Sequence, residues 1–266
     1  MKKLLFIPAA LAFIACGPKE NNSARHIESS TVTYQQDGKD FEGFVAYPKK
    51  SDKKLPAILV IHEWDGLGDY AKMRSKMLAE NGYFAFAMDM YGKGIRAKDH
   101  KEAGELSGTY GKDRKLMRSR LETALAFLKA RPEIDPAKIV VMGYCFGGLA
   151  AIEAGLMGAD VKGIASFHGA LAFPTIAADA KNVKAPVLIH HGGADKFIPA
   201  KDIQTLKTEF DKAKVKYQFI VHDGAVHGFT NKFNDPIHKE HGMAYDAKAD
   251  LASWASFLSF LRTSLN

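Results

Sequence analysis

The chain has 266 residues, of which 47% are hydrophobic and 25% charged, with a net charge of +7. That is the composition of an ordinary globular domain with length enough for a sizeable core, and it excludes a disordered or fibrous chain. The lysines are scattered and no basic block is interleaved with aromatics, which argues against nucleic-acid binding.

In chain order, Lys2 and Lys3 precede an apolar stretch over 4–14, broken by Pro8, and together they read as an export signal. The stretch is shorter than the roughly 20 residues a membrane-spanning helix needs. It ends in Phe13-Ile14-Ala15-Cys16, which resembles the lipobox of bacterial lipoproteins, with Phe13 where leucine is usual. The expectation is a signal peptide over 1–15, lipidation at Cys16, a polar tether over 16–30 and one domain over 31–266. An ordinary cleaved signal and an uncleaved anchor are the competing readings. Gly17 after the cysteine resembles an outer-membrane destination, so the expected place is the bacterial envelope, lipid-anchored and facing the periplasm. Lipidation would leave Cys145 as the sole free thiol in an oxidising space, which marks it as reactive.

Alternating residues over 31–36 and 41–47 around Asp37-Gly38 predict an antiparallel hairpin. A continuous apolar run at 57–61 and a second at 83–88 predict buried strands, and 138–142, 161–167, 186–190 and 217–221 predict further strands. Helical patterns lie over 70–80, 114–129, 203–214 and 246–261. Strands alternating with helices imply a mostly parallel, twisted sheet of about eight strands, helices on both faces and an antiparallel N-terminal hairpin. Functional loops in such sheets lie at the carboxyl ends of the strands.

The strand at 138–142 runs into Gly143-Tyr144-Cys145-Phe146-Gly147-Gly148 and then a small-residue helix. This is the pattern of a nucleophile elbow with a thiol in place of the usual hydroxyl. The alternative is a buried structural cysteine in a glycine-rich loop. Asp195 and His227 each follow a later strand end, and the chain order nucleophile, acid, histidine is that of the α/β-hydrolase arrangement. Taken singly, Asp195 could cap the helix that begins near Pro199, and His227 could be a turn histidine. Together they supply an acid and a proton shuttle for Cys145. Backbone N–H groups of Phe146 and Trp64 are the expected oxyanion hole.

These segments, with His62-Glu63-Trp64-Asp65-Gly66, Asp89-Met90-Tyr91-Gly92, Gly192-Gly193-Ala194-Asp195 and His227-Gly228-Phe229-Thr230-Asn231, resemble the dienelactone hydrolase family of α/β-hydrolases over most of 31–262. The resemblance implies hydrolysis of small carboxylic esters or lactones through a thioester, with no cofactor. It implies that Glu63 contacts the resting thiol and takes its proton when substrate binds, and that Tyr91 lines the site. It also exposes a departure. The family's founding enzymes hold a substrate carboxylate with arginines, and Asn231 stands where one would fall, leaving Arg96 or Lys232 as substitutes. His238 and His241 lack a convincing set of further ligands, so no metal is expected. The expected partners are a small ester or lactone and, through the N-terminal lipid only, a membrane; the expected state is a monomer. A non-catalytic envelope binding protein and a thioester or amide hydrolase are the rival readings.

Overall fold

The computed structural model describes residues 26–234 and 241–266. The signal segment and Cys16 lie outside the described residues, as does His238. Strands β1 (Ile27–Gln36) and β2 (Lys39–Pro48) form the hairpin, turning at Asp37-Gly38, where both residues take positive φ. β1 begins inside the stretch read as tether: residues 27–30 pair with β2 as an edge strand, so the domain starts earlier than 31. The polar Ser29 and Ser30 hid this strand, because an edge strand can leave its outer face to solvent.

The central strands β3 (Leu55–Ile61), β4 (Phe84–Met88), β5 (Ile134–Tyr144), β6 (Gly163–Phe167), β7 (Val187–Gly192) and β8 (Tyr217–His222) are parallel. Their order across the sheet is β1-β2-β4-β3-β5-β6-β7-β8, with β2 antiparallel to β4. The two-residue side-chain period splits each strand between two cores. In β5, Ile139 and Val141 join one face while Val140 and Met142 join the other. Helices α1 (Asp69–Glu80) and α7 (Ala247–Leu265) cover the second face. Helices α2 (His100–Lys112), α3 (Arg114–Lys129), α4 (Phe146–Leu156) and α6 (Ala200–Lys212) cover the first, and a single turn, α5 (Ile176–Asp179), closes it. The expected fold class is the one observed.

Helix α2 has no counterpart among the expected elements. Gly104, Gly108 and Gly111 lower its propensity, and only Ala103 and Tyr110 are buried, so no apolar stripe betrays it. Its start is fixed instead by Asp99, which accepts from the Glu102 N–H, while the Glu102 carboxylate accepts from Lys98 N–H. Helix α4 is the opposite case: every residue is buried. Its Glu153 is held by Arg114 at 3.1 Å and Arg118 at 2.7 Å, which ties α4 to α3 without leaving a bare buried charge.

Candidate active site

The elbow is built by close backbone approach. A Cβ on Gly143 would stand 2.0 Å from the Gly147 oxygen, and one on Gly147 would stand 2.3 Å from the Ile61 oxygen. Only glycine lets the turn between β5 and α4 close against the end of β3. Cys145 sits on that turn at φ 53°, ψ −116°, a strained conformation for a residue with a side chain. Phe146 follows at the first position of α4, where a backbone N–H has no intrahelical acceptor. Trp64 lies on the loop after β3, the strand end that Gly147 touches.

Three strand ends bring the polar groups together. Cys145 Sγ is 3.1 Å from His227 Nε2, and His227 Nδ1 is 2.8 Å from Asp195 Oδ2. Asp195 does not cap α6, whose preceding position is Pro199; its Oδ1 accepts from the Phe197 N–H at 2.8 Å and its other oxygen faces the histidine. Burial opposes a charge on His227, but the neighbouring sulfur and the Asp195 carboxylate outweigh it and raise the imidazole to about 10. Asp195 and His227 are both buried, and Cys145 is half-buried.

Glu63 reaches the same strand edge from β3. Its carboxylate accepts from Asn231 Nδ2, and Asn231 Oδ1 accepts from the Phe233 N–H at 2.9 Å. Burial, followed by the nearby charge of Asp65, pushes the Glu63 carboxyl up to about 7. The loop carrying Glu63 is pinned by His62, which donates from Nδ1 to the Glu63 oxygen and accepts at Nε2 from the Met90 N–H. A cavity of about 390 Å³ lies beside it, with Glu63, Trp64, His100, Asn231 and Phe233 in its walls.

The three residues expected to bind substrate have the following partners. The Tyr91 hydroxyl donates to the Trp64 oxygen at 2.8 Å and its ring packs against His62, Tyr110 and Phe146, so it is a core aromatic that braces the loop after β3. Burial, then proximity to Cys145, holds that hydroxyl above its usual range. Arg96 donates to the backbone oxygens of Leu67 at 2.7 Å and Ile95 at 2.6 Å. Lys232 is exposed, with its ammonium over the Phe233 ring.

One buried residue at this edge escaped the sequence reading. His168, at the end of β6, is fully buried with φ 40°. Its Nδ1 accepts from the Cys145 N–H at 3.2 Å, so Nε2 carries the proton and donates to Thr230 Oγ1 at 2.7 Å. Burial, then the charge of His227, keeps its pKa well below the usual value. Thr230 Oγ1 bonds Tyr70 Oη at 2.6 Å, and Arg74 donates to Tyr70 Oη, to the Thr230 oxygen and to Asp250. The nucleophile-position backbone, the His227 loop, α1 and α7 are thereby joined. The signal was present in Phe167-His168-Gly169, since it too follows a strand end.

The dienelactone hydrolase family profile matches residues 41–265. The chain belongs to that family. This family member is a hydrolase of the class acting on ester and lactone bonds. A solved dienelactone hydrolase-like promiscuous phosphotriesterase, P91, from metagenomic libraries is 30% identical, with a TM-score of 0.84 over 90% of this chain and 99% of its own. A solved structure called m3DLH is 28% identical, with a TM-score of 0.86 over 90% of this chain and 99% of its own. An Aquifex aeolicus (strain VF5) protein with a provisional carboxymethylenebutenolidase name is 28% identical over 88% of this chain and 98% of its own length.

Proposed function

We propose that this dienelactone hydrolase relative cleaves small carboxylic esters or lactones through a Cys145–His227–Asp195 triad and a thioester acyl-enzyme. The observation that carries the reading is the unbroken contact from sulfur to imidazole to carboxylate, 3.1 Å and 2.8 Å. His227 is held as imidazolium beside the sulfur, so the proton that leaves the thiol to give thiolate, the nucleophilic form of cysteine, goes to Glu63. The thiolate attacks the carbonyl carbon, and the developing oxyanion takes hydrogen bonds from the Phe146 and Trp64 N–H groups. Collapse breaks the carbon–oxygen bond, and His227 gives its proton to the departing alkoxide. His227 then takes a proton from water, whose oxygen attacks the thioester and releases the acid and the sulfur. Asp195 holds the imidazole and offsets its charge throughout.

The acyl group is proposed to lack a carboxylate. The neutral Asn231 occupies the loop beside Glu63, and the Arg96 guanidinium is already bonded to two backbone oxygens. Glu63 serves as the base that receives the thiol proton. Cys16 carries the lipid that holds the protein to the envelope membrane, a reading supported by the lipobox-like Phe13-Ile14-Ala15-Cys16.

The test is turnover of p-nitrophenyl acetate by the chain and by Cys145→Ala, with a panel of esters bearing or lacking a carboxylate. Loss of turnover by about 1,000-fold or more in the variant is expected. Equal rates would remove the covalent mechanism, and no turnover by either protein would favour a binding role.

A further inference from the structure

The two edges of the sheet differ in charge. The loops at the carboxyl ends of the strands mix acids (Glu63, Asp65, Asp89, Asp195 and Asp223) with bases (Lys93, Arg96, Lys98, Lys196 and Lys232), and carry no comparable excess of either sign. The turns that feed the strands from the other edge are rich in lysine. Lys49, Lys50, Lys53 and Lys54 lie between β2 and β3, and Lys138 lies in the opening residues of β5. Lys162 precedes β6, Lys184 precedes β7, and Lys214 and Lys216 precede β8. Because β3, β5, β6, β7 and β8 are neighbours in that order, these side chains form a row along one edge. All except the half-buried Lys138 are exposed. Arg262, in the last turn of α7, shares a surface hollow with Lys53, Lys54 and Lys138.

Acids are present here too, but several are already engaged. Glu133 pairs with Arg131, Asp160 lies 3.7 Å from Lys129, and Glu28 lies 3.8 Å from Lys49. Asp52, Asp135 and Asp211 do not balance the row.

The chain also enters the domain at this edge. Ile27 pairs with Pro48, and the Lys49 N–H donates to the His26 oxygen at 2.8 Å. The described chain therefore begins beside the lysine-bearing turn over 49–54. We propose that this edge rests on an anionic bilayer, with phospholipid headgroups as its partner, so that the catalytic edge opens away from the membrane. The step from Cys16 to His26 reaches at most about 35 Å. An acyl chain on Cys16 would thus keep the lysine edge close to the headgroups, where each lysine adds attraction that decays within a Debye length. The proposal rests on the envelope location proposed above, but not on acylation itself.

Vesicle sedimentation of the full chain carrying Cys16→Ser tests the face without a lipid at that residue. The vesicles are phosphatidylcholine alone or phosphatidylcholine with phosphatidylglycerol, in low salt. Binding to the anionic vesicles is expected to be tighter. Lys50→Glu/Lys53→Glu/Lys54→Glu should reduce that anionic increment by roughly 100-fold while leaving ester turnover unchanged. Equal binding to both vesicle types, or an increment that survives the triple substitution, would overturn the proposal. So would duplex DNA that competes as well as the vesicles at equal phosphate, since the face would then be a nucleic-acid surface. The mass of the Cys16 peptide from wild-type protein tests acylation separately, so failure of the anchor and failure of the basic edge are told apart.

Discussion

At the carboxyl edge of the sheet, polar groups are buried and the backbone is strained; at the opposite edge neither is common. His62, Asp89, His168, His190, Asp195 and His227 are all buried at or just beyond carboxyl strand ends. Cys145 and His168 take positive φ there, whereas the other described non-glycine residues that do so, Asp37 and Lys214, lie in exposed turns. Buried polarity and strain each cost stability unless neighbours hold them. The carboxyl edge persists because most of these groups are bonded to neighbours across the six parallel strand ends, and the lysine edge needs no such support because water solvates it. One edge is therefore intolerant of change in shape, and the other is sensitive mainly to change in charge.

The largest effect that can test this contrast is a single methyl group. Gly143→Ala would set a Cβ 2.0 Å from the Gly147 oxygen, and backbone cannot yield as a flexible side chain does. We expect a loss of more than about 4 kcal/mol in urea unfolding, or failure to fold. The Lys50/Lys53/Lys54 variant serves as the contrast and should stay within about 0.5 kcal/mol of wild type. A well-folded, active Gly143→Ala would mean that the elbow is far softer than its contacts imply.

The same contrast explains what could be read from the sequence. Cys145, Asp195 and His227 could be placed on one edge from the sequence because each lies within five residues of the end of a strand whose apolar residues mark it without knowledge of the fold. The parallel strands were legible for the same reason. The network behind the site was not. Tyr70 and Thr230 meet across 160 residues, and Arg74 and Asp250 across 176, and no local period announces such a meeting. Arg96 and Tyr91 illustrate the reverse difficulty. Their chemistry suited substrate binding, but the structure gives their polar atoms backbone partners, which residue type alone does not foretell. Helix α2 stayed hidden because its start is written in a cap and its body has little apolar periodicity.

His168 gives the next, smaller effect. It accepts from the Cys145 N–H and donates to Thr230, three residues beyond His227, so it can position both reacting side chains through their backbones. His168→Phe removes the donor to Thr230 and one of the two acceptors of the Cys145 N–H, leaving the Phe167 oxygen at 3.0 Å. A fall in kcat of about 100-fold is expected, with KM little changed and the protein still folded. His168→Asn tolerates positive φ and keeps polar atoms, and should recover part of the loss. If the Phe variant matches wild type in kcat, the network is scaffolding only and the buried polarity of this edge is not tied to catalysis.

The smallest effect is on pH dependence, and it isolates one charge. Glu63 is held near 7, so it is mostly neutral at pH 6 and mostly ionised at pH 8. If the carboxylate is the base that receives the thiol proton, kcat/KM should rise through an ionisation near pH 7. Glu63→Gln keeps an oxygen that can accept from Asn231 but cannot ionise, so this limb should vanish. Stability supplies an independent sign. A carboxyl whose folded pKa lies above its unfolded value of roughly 4.3 binds more protons when folded, so its contribution weakens as pH rises from 4.3 through 7. Glu63→Gln should therefore gain stability relative to wild type at pH 8 compared with pH 5. A variant that shows the stability change but keeps the rate limb would leave Glu63 half-buried at this edge for some purpose other than proton transfer.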